Sequence, residues 1–535
     1  MSQSQTNSVN SEVIRPDWLN EEFFAEIYAK DEHFIDKKLN IKILSCSSVV
    51  EVGDNYTSTM YRVNVEATTE DSDKPHSENF IVKAMIHSVP ALKEFSIFPI
   101  EIEAYQQALP VMEGYWREIG QNITFGPKCL HIITDPNEII VLSDLKVQGF
   151  KMANRFEGLD LQHSRLLLSK LAKFHATSVI FKEKNGKFGP KLNRLVFDPQ
   201  MKKVFDTFTT SNYPTLLNLI ESSEDLKPFY DIVESWRHNM FERILRISNV
   251  PEDSDDFCVL NHADMWVNNH MYKYDENNSP TDVAFIDFQM THWGRPAVDI
   301  LYFLLSSVRP EILVKEFDAL IYHYHENLVE TLKLLGYQKT PPMLKDIHIQ
   351  ILKCSFYACM CLTGITAVVL MDKNENATFE NFFDEGNGGE QMRKKMYFNP
   401  RYENKLRYVL PFLEKRGMLG AEKIPDSEII SIEENGNSEA VPEVSNTGTT
   451  NAEETTAAPE EPSRVTLEEA IKEDEKLIEN SNKFNGIQEN GLETNPEDKI
   501  SPTPKDVKET NTLKDDKEND TKEPVEADDV QDTAL

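Results

Sequence analysis

The residues most suited to chemistry lie between Val259 and Gln289. There the pattern HxDxxxxN places Asp264 two residues after His262 and Asn269 five residues after Asp264. The strand pattern VAFID then ends in a second carboxylate, Asp287. A carboxylate that deprotonates a hydroxyl, beside an amide and a carboxylate that bind Mg²⁺, forms the set needed to transfer a phosphoryl group. We therefore interpret Asp264 as a candidate catalytic base, and Asn269 and Asp287 as candidate magnesium ligands.

Residues upstream complement this set. The strand-like run NFIVKAMI carries Lys83, and the helical stretch after it carries Glu101. In this chemistry a lysine contacts the α- and β-phosphates of ATP and is held by a glutamate. The run VEVGDNYTSTMYRV predicts a turn over the phosphates, with Gly53 for the bend and backbone N–H groups from Asn55 to Ser58. Taken singly, solvated charges explain the lysine and the glutamate, and an ordinary hairpin turn explains the glycine.

Apolar spacing predicts a small α+β part followed by a mainly helical part. Asn20 caps a predicted helix in EEFFAEIYAK, three strands follow, and a helical stretch ending at Pro110 precedes the strand IIVLSDL. From about Lys151 the spacing is helical, apart from a compact β element around the turn residues DENNSP. The predicted divisions are a flexible N-terminus (1–15), a nucleotide-binding lobe (16–145), a catalytic and substrate lobe (146–420) and a disordered acidic tail (421–535).

The charge of the chain is large and unevenly distributed. The formal net charge of −34 argues against a protein that binds nucleic acid, because phosphate backbones select basic surfaces. Residues 421–535 hold 32 acidic and 11 basic residues and a single aromatic residue, Phe484. Such a segment cannot bury enough apolar surface to offset the entropy of ordering it. We expect a disordered tail that is a candidate arm for binding another protein.

Two features bear on location. The start, MSQSQTNSVNSEV, lacks the apolar core of a secretory signal, and six scattered cysteines do not make a disulfide framework. A reducing, cytoplasmic setting is therefore expected. The uncharged run from Cys354 to Met371 is just long enough to span a bilayer, but Ser, Thr and Gly dilute it and no second span follows. A buried helix is favoured, with Cys354, Cys359 and Cys361 as buried thiols instead of metal ligands.

Together these segments resemble the ecdysteroid kinase-like family, which is related to choline kinases and aminoglycoside phosphotransferases. The resemblance covers most of residues 15–420 and rests on VGDNYTSTMYRV, FIVKAM, EIEAY, LSDL, GFKMANRFEGLD, KLAKFHATS, VLNHADMWVNN, FIDFQ and RPAVDILYFLLSS. It implies a bilobal, protein-kinase-like fold. It also implies ATP- and Mg²⁺-dependent phosphorylation of a hydroxyl group on a small molecule, either an ecdysteroid-like steroid or a xenobiotic.

The resemblance repeats the roles inferred above and adds others. Leu142 to Leu145 resembles the hinge that receives adenine, and His262 and Asp299 resemble supports of the catalytic loop. A purely structural role for Asp299 is equally well supported. Two departures matter: Ala263 stands where the family usually has glycine, and Ser143 where it usually has glutamate. Alanine is tolerated there if its φ is negative and costly otherwise. Neither change removes a catalytic group, so activity is predicted.

Two alternatives remain open. A protein kinase is disfavoured because Gln289 instead of glycine follows IDF, and because Pro296 to Asp299 arrive too soon for a long activation loop. A catalytically weak or silent kinase-like scaffold, with the acidic tail as its interaction arm, belongs to a different class. The retained lysine, asparagine and two aspartates argue against it, since a scaffold has no need of this set.

Overall fold

The computed structural model describes most of the chain between Arg15 and Gly420. The described ranges are 15–35, 37–49, 58–70, 72–86, 97–135, 137–193, 202–251, 254–372 and 386–420. Gly53 and Asn55 of the predicted phosphate turn lie outside them. So do residues 1–14 of the predicted flexible N-terminus and the whole predicted acidic tail.

The β-rich part is built on a five-stranded antiparallel sheet with the strand order β1-β2-β3-β5-β4. Its strands are β1 (Leu39–Ser48), β2 (Ser58–Thr69), β3 (Ser72–Met85), β4 (Cys129–Ile133) and β5 (Ile139–Ser143). Smaller sheets are formed by β6 (Lys151–Met152), β7 (Val259–Asn261), β8 (His270–Tyr274), β9 (Pro280–Phe285) and β10 (His292–Gly294). In these, β8 lies between β6 and β9, and β10 pairs with β7.

One face of the large sheet packs against α1 (Glu21–Tyr28). Asn20 caps this helix, as predicted, by accepting a hydrogen bond from Phe23 N at 3.0 Å. Phe24 of the helix packs on Phe80 of β3. The alternation of β3 turns Ile81 to the opposite face, where it joins the larger core shared with the helical part.

The helices occupy most of the remaining described residues. They are α2 (Phe98–Glu103), α3 (Leu109–Glu118), α4 (Leu161–Asn185), α5 (Pro190–Asn193), α6 (Lys202–Ser222), α7 (Tyr230–Ser235), α8 (Met240–Ser248), α9 (Ala297–Ser307), α10 (Pro310–Leu334), α11 (Leu344–Lys353), α12 (Ser355–Met360), α13 (Thr366–Leu370), α14 (Asn387–Tyr397) and α15 (Pro400–Lys415). Single 3₁₀ turns span Lys227–Phe229, Val267–Asn269 and Phe288–Met290, and π turns span Ala104–Ala108 and Cys361–Ile365. The predicted α+β class is confirmed.

The prediction that the helix after β3 ends at Pro110 is wrong. The chain continues from α2 through the π turn Ala104–Ala108 into α3, which reaches Glu118. An interior proline lacks an N–H group and clashes with the carbonyl four residues earlier. In the π turn the N–H of Leu109 bonds to the carbonyl of Ala104, five residues back, so Pro110 falls in the first turn of α3. There a missing N–H costs little.

The helix that runs from α2 to α3 contributes to the larger core together with α4 and α9. Trp116 of α3 is buried there, and its indole N–H donates to Thr177 Oγ1 of α4 at 2.9 Å. The two parts of the molecule therefore share a core across the boundary predicted at residue 145. The division into lobes at that residue stays a prediction.

No single helix among the described residues is long and apolar enough to cross a membrane. Taken together, α11 and the helical segment Ser355–Leu370 are long and apolar enough to cross a membrane by length and composition only. The two are bent by 59° relative to each other. Within this segment Cys359 and Cys361 are buried in the larger core, as is Cys354 just before it.

We expect Thr177→Val to lower the free energy of unfolding by about 1–3 kcal/mol, because it leaves the buried indole N–H of Trp116 without its acceptor. Urea denaturation measures this change. Thr210→Val is the matched control, because the hydroxyl of Thr210 is exposed and donates only to the Asp206 carbonyl. Equal losses in the two variants would contradict this account of the α3–α4 contact.

Candidate active site

Three distant segments of the chain meet at the side chain of Lys83. Its Nζ donates to Glu101 Oε2 at 2.6 Å and to Asp287 Oδ1 at 2.7 Å. Lys83 and Glu101 are 2% and 0% exposed. Burial alone lowers the pKa of Lys83, but the carboxylates of Asp287 and Glu101 outweigh it and raise that pKa above its ordinary value. The ammonium therefore stays charged at the floor of the site.

A second carboxylate of α2 fixes the helix that carries Glu101. Glu103 points away from Lys83 and accepts hydrogen bonds from the backbone N–H groups of Lys191 (3.3 Å) and Leu192 (3.1 Å) in α5. Gly189 leaves room for this contact, since a Cβ there would lie 2.2 Å from Glu103 Oε1. The helix is thus held from both sides, and Glu101 is fixed against Lys83.

Both carboxylate oxygens of Asp264 are held by neighbouring side chains. Oδ1 accepts from the Tyr302 hydroxyl at 2.5 Å, and Oδ2 accepts from Asn269 Nδ2 at 2.7 Å. Burial and the nearby carboxylate of Asp287 raise the pKa of Asp264 to about 7, while hydrogen bonds from Tyr302, Asn269 and Trp266 oppose that rise. A carboxylate with a pKa near neutrality suits a general base.

The backbone of the predicted catalytic loop, residues 262–269, is held by the fully buried carboxylate of Asp299 on α9. Its two oxygens accept from the backbone N–H groups of His262 and Ala263, each at 2.7 Å. His175 Nε2 lies 3.0 Å from the same carboxylate, and His175 Nδ1 lies 2.8 Å from the Tyr324 hydroxyl. Because a carboxylate only accepts, His175 donates to Asp299 and accepts from Tyr324. This series of hydrogen bonds, from Tyr324 through His175 to Asp299, orients the carboxylate of Asp299 toward the loop.

The side chain of His262 links the loop to the strand that ends at Asp287. Its Nε2 lies 3.0 Å from the carbonyl of Ile286, and its Nδ1 lies 3.3 Å from the backbone N of Asp264. Because the carbonyl only accepts and the backbone N–H only donates, Nε2 donates and Nδ1 accepts, which is the neutral form of the ring; burial also lowers the pKa of His262. The N–H of Ile286 also bonds to the carbonyl of Asn269 at 3.0 Å. These contacts place Asn269 beside Asp287.

Two residues of the site have left-handed backbone conformations. Ala263 has φ 62° and Asp287 has φ 68°. Aspartate tolerates this region through local hydrogen bonding, whereas the Cβ of alanine is crowded by the backbone. Alanine at position 263 was expected to be costly unless its φ was negative. The φ is positive, so a cost is expected.

The hinge residues lie at the end of β5 and just after it. Leu142 and Leu145 are both buried. Ser143 Oγ accepts from the backbone N of Lys128 at 3.0 Å, so it ties the hinge to the segment before β4. Asp144 pairs with Arg62 of β2, whose Nε lies 2.6 Å from Oδ2.

The donor set of the site fits magnesium bound together with nucleotide phosphates. Asn269 directs its NH₂ group to Asp264, which leaves its amide oxygen as the group able to bind a cation. Asp287 adds a partly exposed carboxylate. No cluster of three or more His, Cys, Asp or Glu side chains that could hold a metal occurs among the described residues. Mg²⁺ commonly takes only one or two protein ligands and fills its shell with phosphates and water, so these two residues suffice.

The structure brings together most of the residues singled out in the sequence. Around Lys83 and Asp264 it gathers Glu101, His262, Asn269, Asp287 and Asp299. Ser58 lies buried at the start of β2, opposite Met85 of β3. The roles given to these residues remain predictions, as do the roles of Gly53 and Asn55 outside the described residues.

Several contacts of the site were not found from the sequence. They are made by Tyr302, His175, Tyr324, Arg62 and Glu103. A signal existed for Tyr302, since it follows Asp299 by three residues in a predicted helix and therefore shares its face. No local pattern pairs the other four with their distant partners.

The model of the ecdysteroid kinase-like family matches residues 52–337, more than half of the 535-residue chain. The matched span includes Lys83, Glu101, the catalytic loop and Asp287. No curated protein matches the chain.

Solved structures of two phosphotransferases are similar to the chain at low identity. An ethanolamine kinase from Plasmodium vivax has 13% identity and a TM-score of 0.30, with 69% of this chain and 84% of that one covered. The aminoglycoside phosphotransferase APH(2'')-Ib with bound ADP has 14% identity and a TM-score of 0.26, with 62% and 99% covered. Scores this low support no argument about the site or the substrate.

We expect Ala263→Gly to stabilise the protein, because glycine adopts φ 62° without the crowding of Cβ. The relief of about 1–2 kcal/mol exceeds the greater unfolded-state entropy of glycine, about 0.4–1 kcal/mol. Chemical denaturation should show a gain of about 0.5–1 kcal/mol in the free energy of unfolding. Ala176→Gly is the contrasting control, since it lies inside α4 and should destabilise. A loss of stability in Ala263→Gly would show that position 263 is not strained.

Proposed function

Because the chain belongs to the ecdysteroid kinase-like family, we propose that it is a small-molecule kinase that transfers the γ-phosphoryl group of ATP to a hydroxyl group, with Mg²⁺. The convergence of Lys83, Glu101 and Asp287 beside Asp264 and Asn269 is the observation that carries this proposal. The family and the α+β architecture together give the chain a protein-kinase-like fold.

In the proposed reaction Asp264 accepts the proton of the acceptor hydroxyl. The acceptor oxygen forms a bond to the γ-phosphorus as the bond to the bridging oxygen breaks, and ADP leaves with that electron pair. Lys83, held by Glu101, contacts the α- and β-phosphates. Mg²⁺ on Asn269 and Asp287 would neutralise charge on the phosphate oxygens. The raised pKa of Asp264 supports its role, since a base near neutrality both loses and takes a proton readily.

The surroundings of Asp264 favour a neutral acceptor. The rings of Tyr302 and Tyr357 lie 6.4 Å apart at 46°, and the hydroxyl of Tyr302 donates to the carboxylate of Asp264. After burial and Asp287, the largest influences on the pKa of Asp264 come from the uncharged side chains of Tyr302, Asn269 and Trp266. Uncharged and aromatic side chains around the proposed base suit an apolar hydroxylated molecule, whereas a polycation is bound through several added negative charges. We therefore propose an ecdysteroid-like steroid or a comparable hydroxylated xenobiotic as the substrate.

A catalytically weak enzyme or a silent scaffold is the second candidate function. The strained backbone of Ala263, next to the proposed base, is the observation that favours it. The same loop nevertheless keeps its hydrogen bonds to Asp299 and Tyr302, so the base is still held in place.

We expect Asp264→Asn to lower ATP turnover with a hydroxyl acceptor by about 10²–10⁴-fold, because an amide cannot take the acceptor proton. Coupled detection of ADP measures the rate. Asp282→Asn is the matched control: it lies at the other end of the same hairpin, pairs with Lys170, and should leave turnover within about 2-fold. Unchanged turnover in Asp264→Asn would favour the scaffold.

We expect transfer of label from γ-labelled ATP to a polyhydroxylated steroid, and little transfer to choline, ethanolamine or an aminoglycoside. The reason is that, apart from the carboxylate of Asp287, the side chains with the largest influence on Asp264 are uncharged, and Tyr302 and Tyr357 beside it are aromatic. Each acceptor is tested with wild type and with Asp264→Asn. The ATP hydrolysis that occurs without an acceptor is subtracted. A preference for a cationic acceptor would overturn the substrate class and leave the kinase proposal standing.

A further inference from the structure

Helix α9 holds the catalytic loop at two points. Asp299 in its first turn binds the loop backbone at His262 and Ala263. Tyr302, three residues later on the same face, donates its hydroxyl to the carboxylate of Asp264 at 2.5 Å. We propose that Tyr302 is a positioning residue, which fixes the carboxylate of Asp264 in the orientation that accepts the proton of the acceptor hydroxyl. This inference rests on the proposed function.

An aspartate carboxylate turns easily about its last side-chain bond, whose torsion has broad minima. Asn269 holds Oδ2, and one such bond still allows the plane of the carboxylate to tilt. The bond from Tyr302 to Oδ1 supplies the second point and so fixes the plane. The lone pairs that remain are then aimed in one direction, toward the acceptor.

Tyr302 itself has little freedom to move. It lies in α9, whose residues are all buried, and is 6% exposed. Its ring packs beside that of Tyr357 on α12. The hydroxyl is therefore held at a fixed point by two helices, and loss of that one oxygen leaves the ring in place. A hydrogen bond to a charged group is also stronger than one between neutral groups.

The competing account is that Tyr302 is an ordinary buried tyrosine whose hydroxyl needs an acceptor. Tyr397 provides the comparison: it is fully buried in the same part of the molecule and donates to the carbonyl of Thr363 at 2.9 Å. On that account Tyr302→Phe and Tyr397→Phe would lose similar stability and leave the rate of the folded enzyme unchanged. If Tyr302 is a positioning residue, only Tyr302→Phe changes the rate of the folded enzyme.

The test compares wild type, Tyr302→Phe, Tyr397→Phe, Asp264→Asn and the double variant Tyr302→Phe/Asp264→Asn, with the acceptor that wild type uses. We expect kcat of Tyr302→Phe to fall by about 10–100-fold, the effect of one lost hydrogen bond to a charged group. The KM for ATP should stay within about 2-fold, because Tyr302 is not among the contacts of Lys83. Adding Tyr302→Phe to Asp264→Asn should cost nothing further, since the carboxylate it positions is gone.

Thermal unfolding by circular dichroism sets an assay temperature at which every variant is folded, and the rates are expressed per folded protein. A kcat for Tyr302→Phe equal to that of Tyr397→Phe would overturn the positioning role and leave the kinase proposal intact, provided that Asp264→Asn is inactive. A full additional loss in the double variant would show that Tyr302 acts on another group. Unchanged turnover in Asp264→Asn would overturn both proposals.

Discussion

A charged lysine buried with two carboxylates constrains the rest of the molecule. An ammonium removed from water is stable only with close partners of opposite charge, and Lys83 has two of them. One comes from the helix after β3 and the other from the end of β9, about 200 residues further along the chain. The sheet, α2 and the hairpin must therefore meet at one point. The second carboxylate of α2, on Glu103, fixes the helix from its other side.

The catalytic loop illustrates how such a site keeps an unfavourable backbone. Ala263 has a left-handed conformation that costs about 1–2 kcal/mol for a residue with a Cβ. Its N–H bonds to Asp299, His262 bonds to Ile286, and Tyr302 holds Asp264. Strain of this kind persists where the surroundings over-determine the conformation. Here the strained residue lies directly before Asp264, whose carboxylate is held by Tyr302 and Asn269.

The sequence predicted which residues lie at the site better than it predicted the contacts that hold those residues in place. The spacing of Asp264, Asn269 and Asp287 in a hairpin, and the order of Lys83 and Glu101, are local patterns that can be read along the chain. The pairing of Arg62 with Asp144 depends on which strands become neighbours, so no local pattern encodes it. The end of the helix near Pro110 was wrong because proline usually stops a helix, whereas a preceding π turn accommodates it. The φ of Ala263 likewise follows from tertiary contacts and not from its neighbours in sequence.

The segment between Asp287 and α9 bears on what the molecule can hold as an acceptor. It forms a 3₁₀ turn and then β10, which pairs with β7, before α9 begins at Ala297. That pairing occupies one edge of β10, and of its three residues only Trp293 is partly exposed. Beside Asp264, Tyr302 of α9 and Tyr357 of α12 pack against each other, and both are buried. The connection from Asp287 to α9 has no room for the long activation loop that holds a peptide in a protein kinase, which accords with a small-molecule kinase.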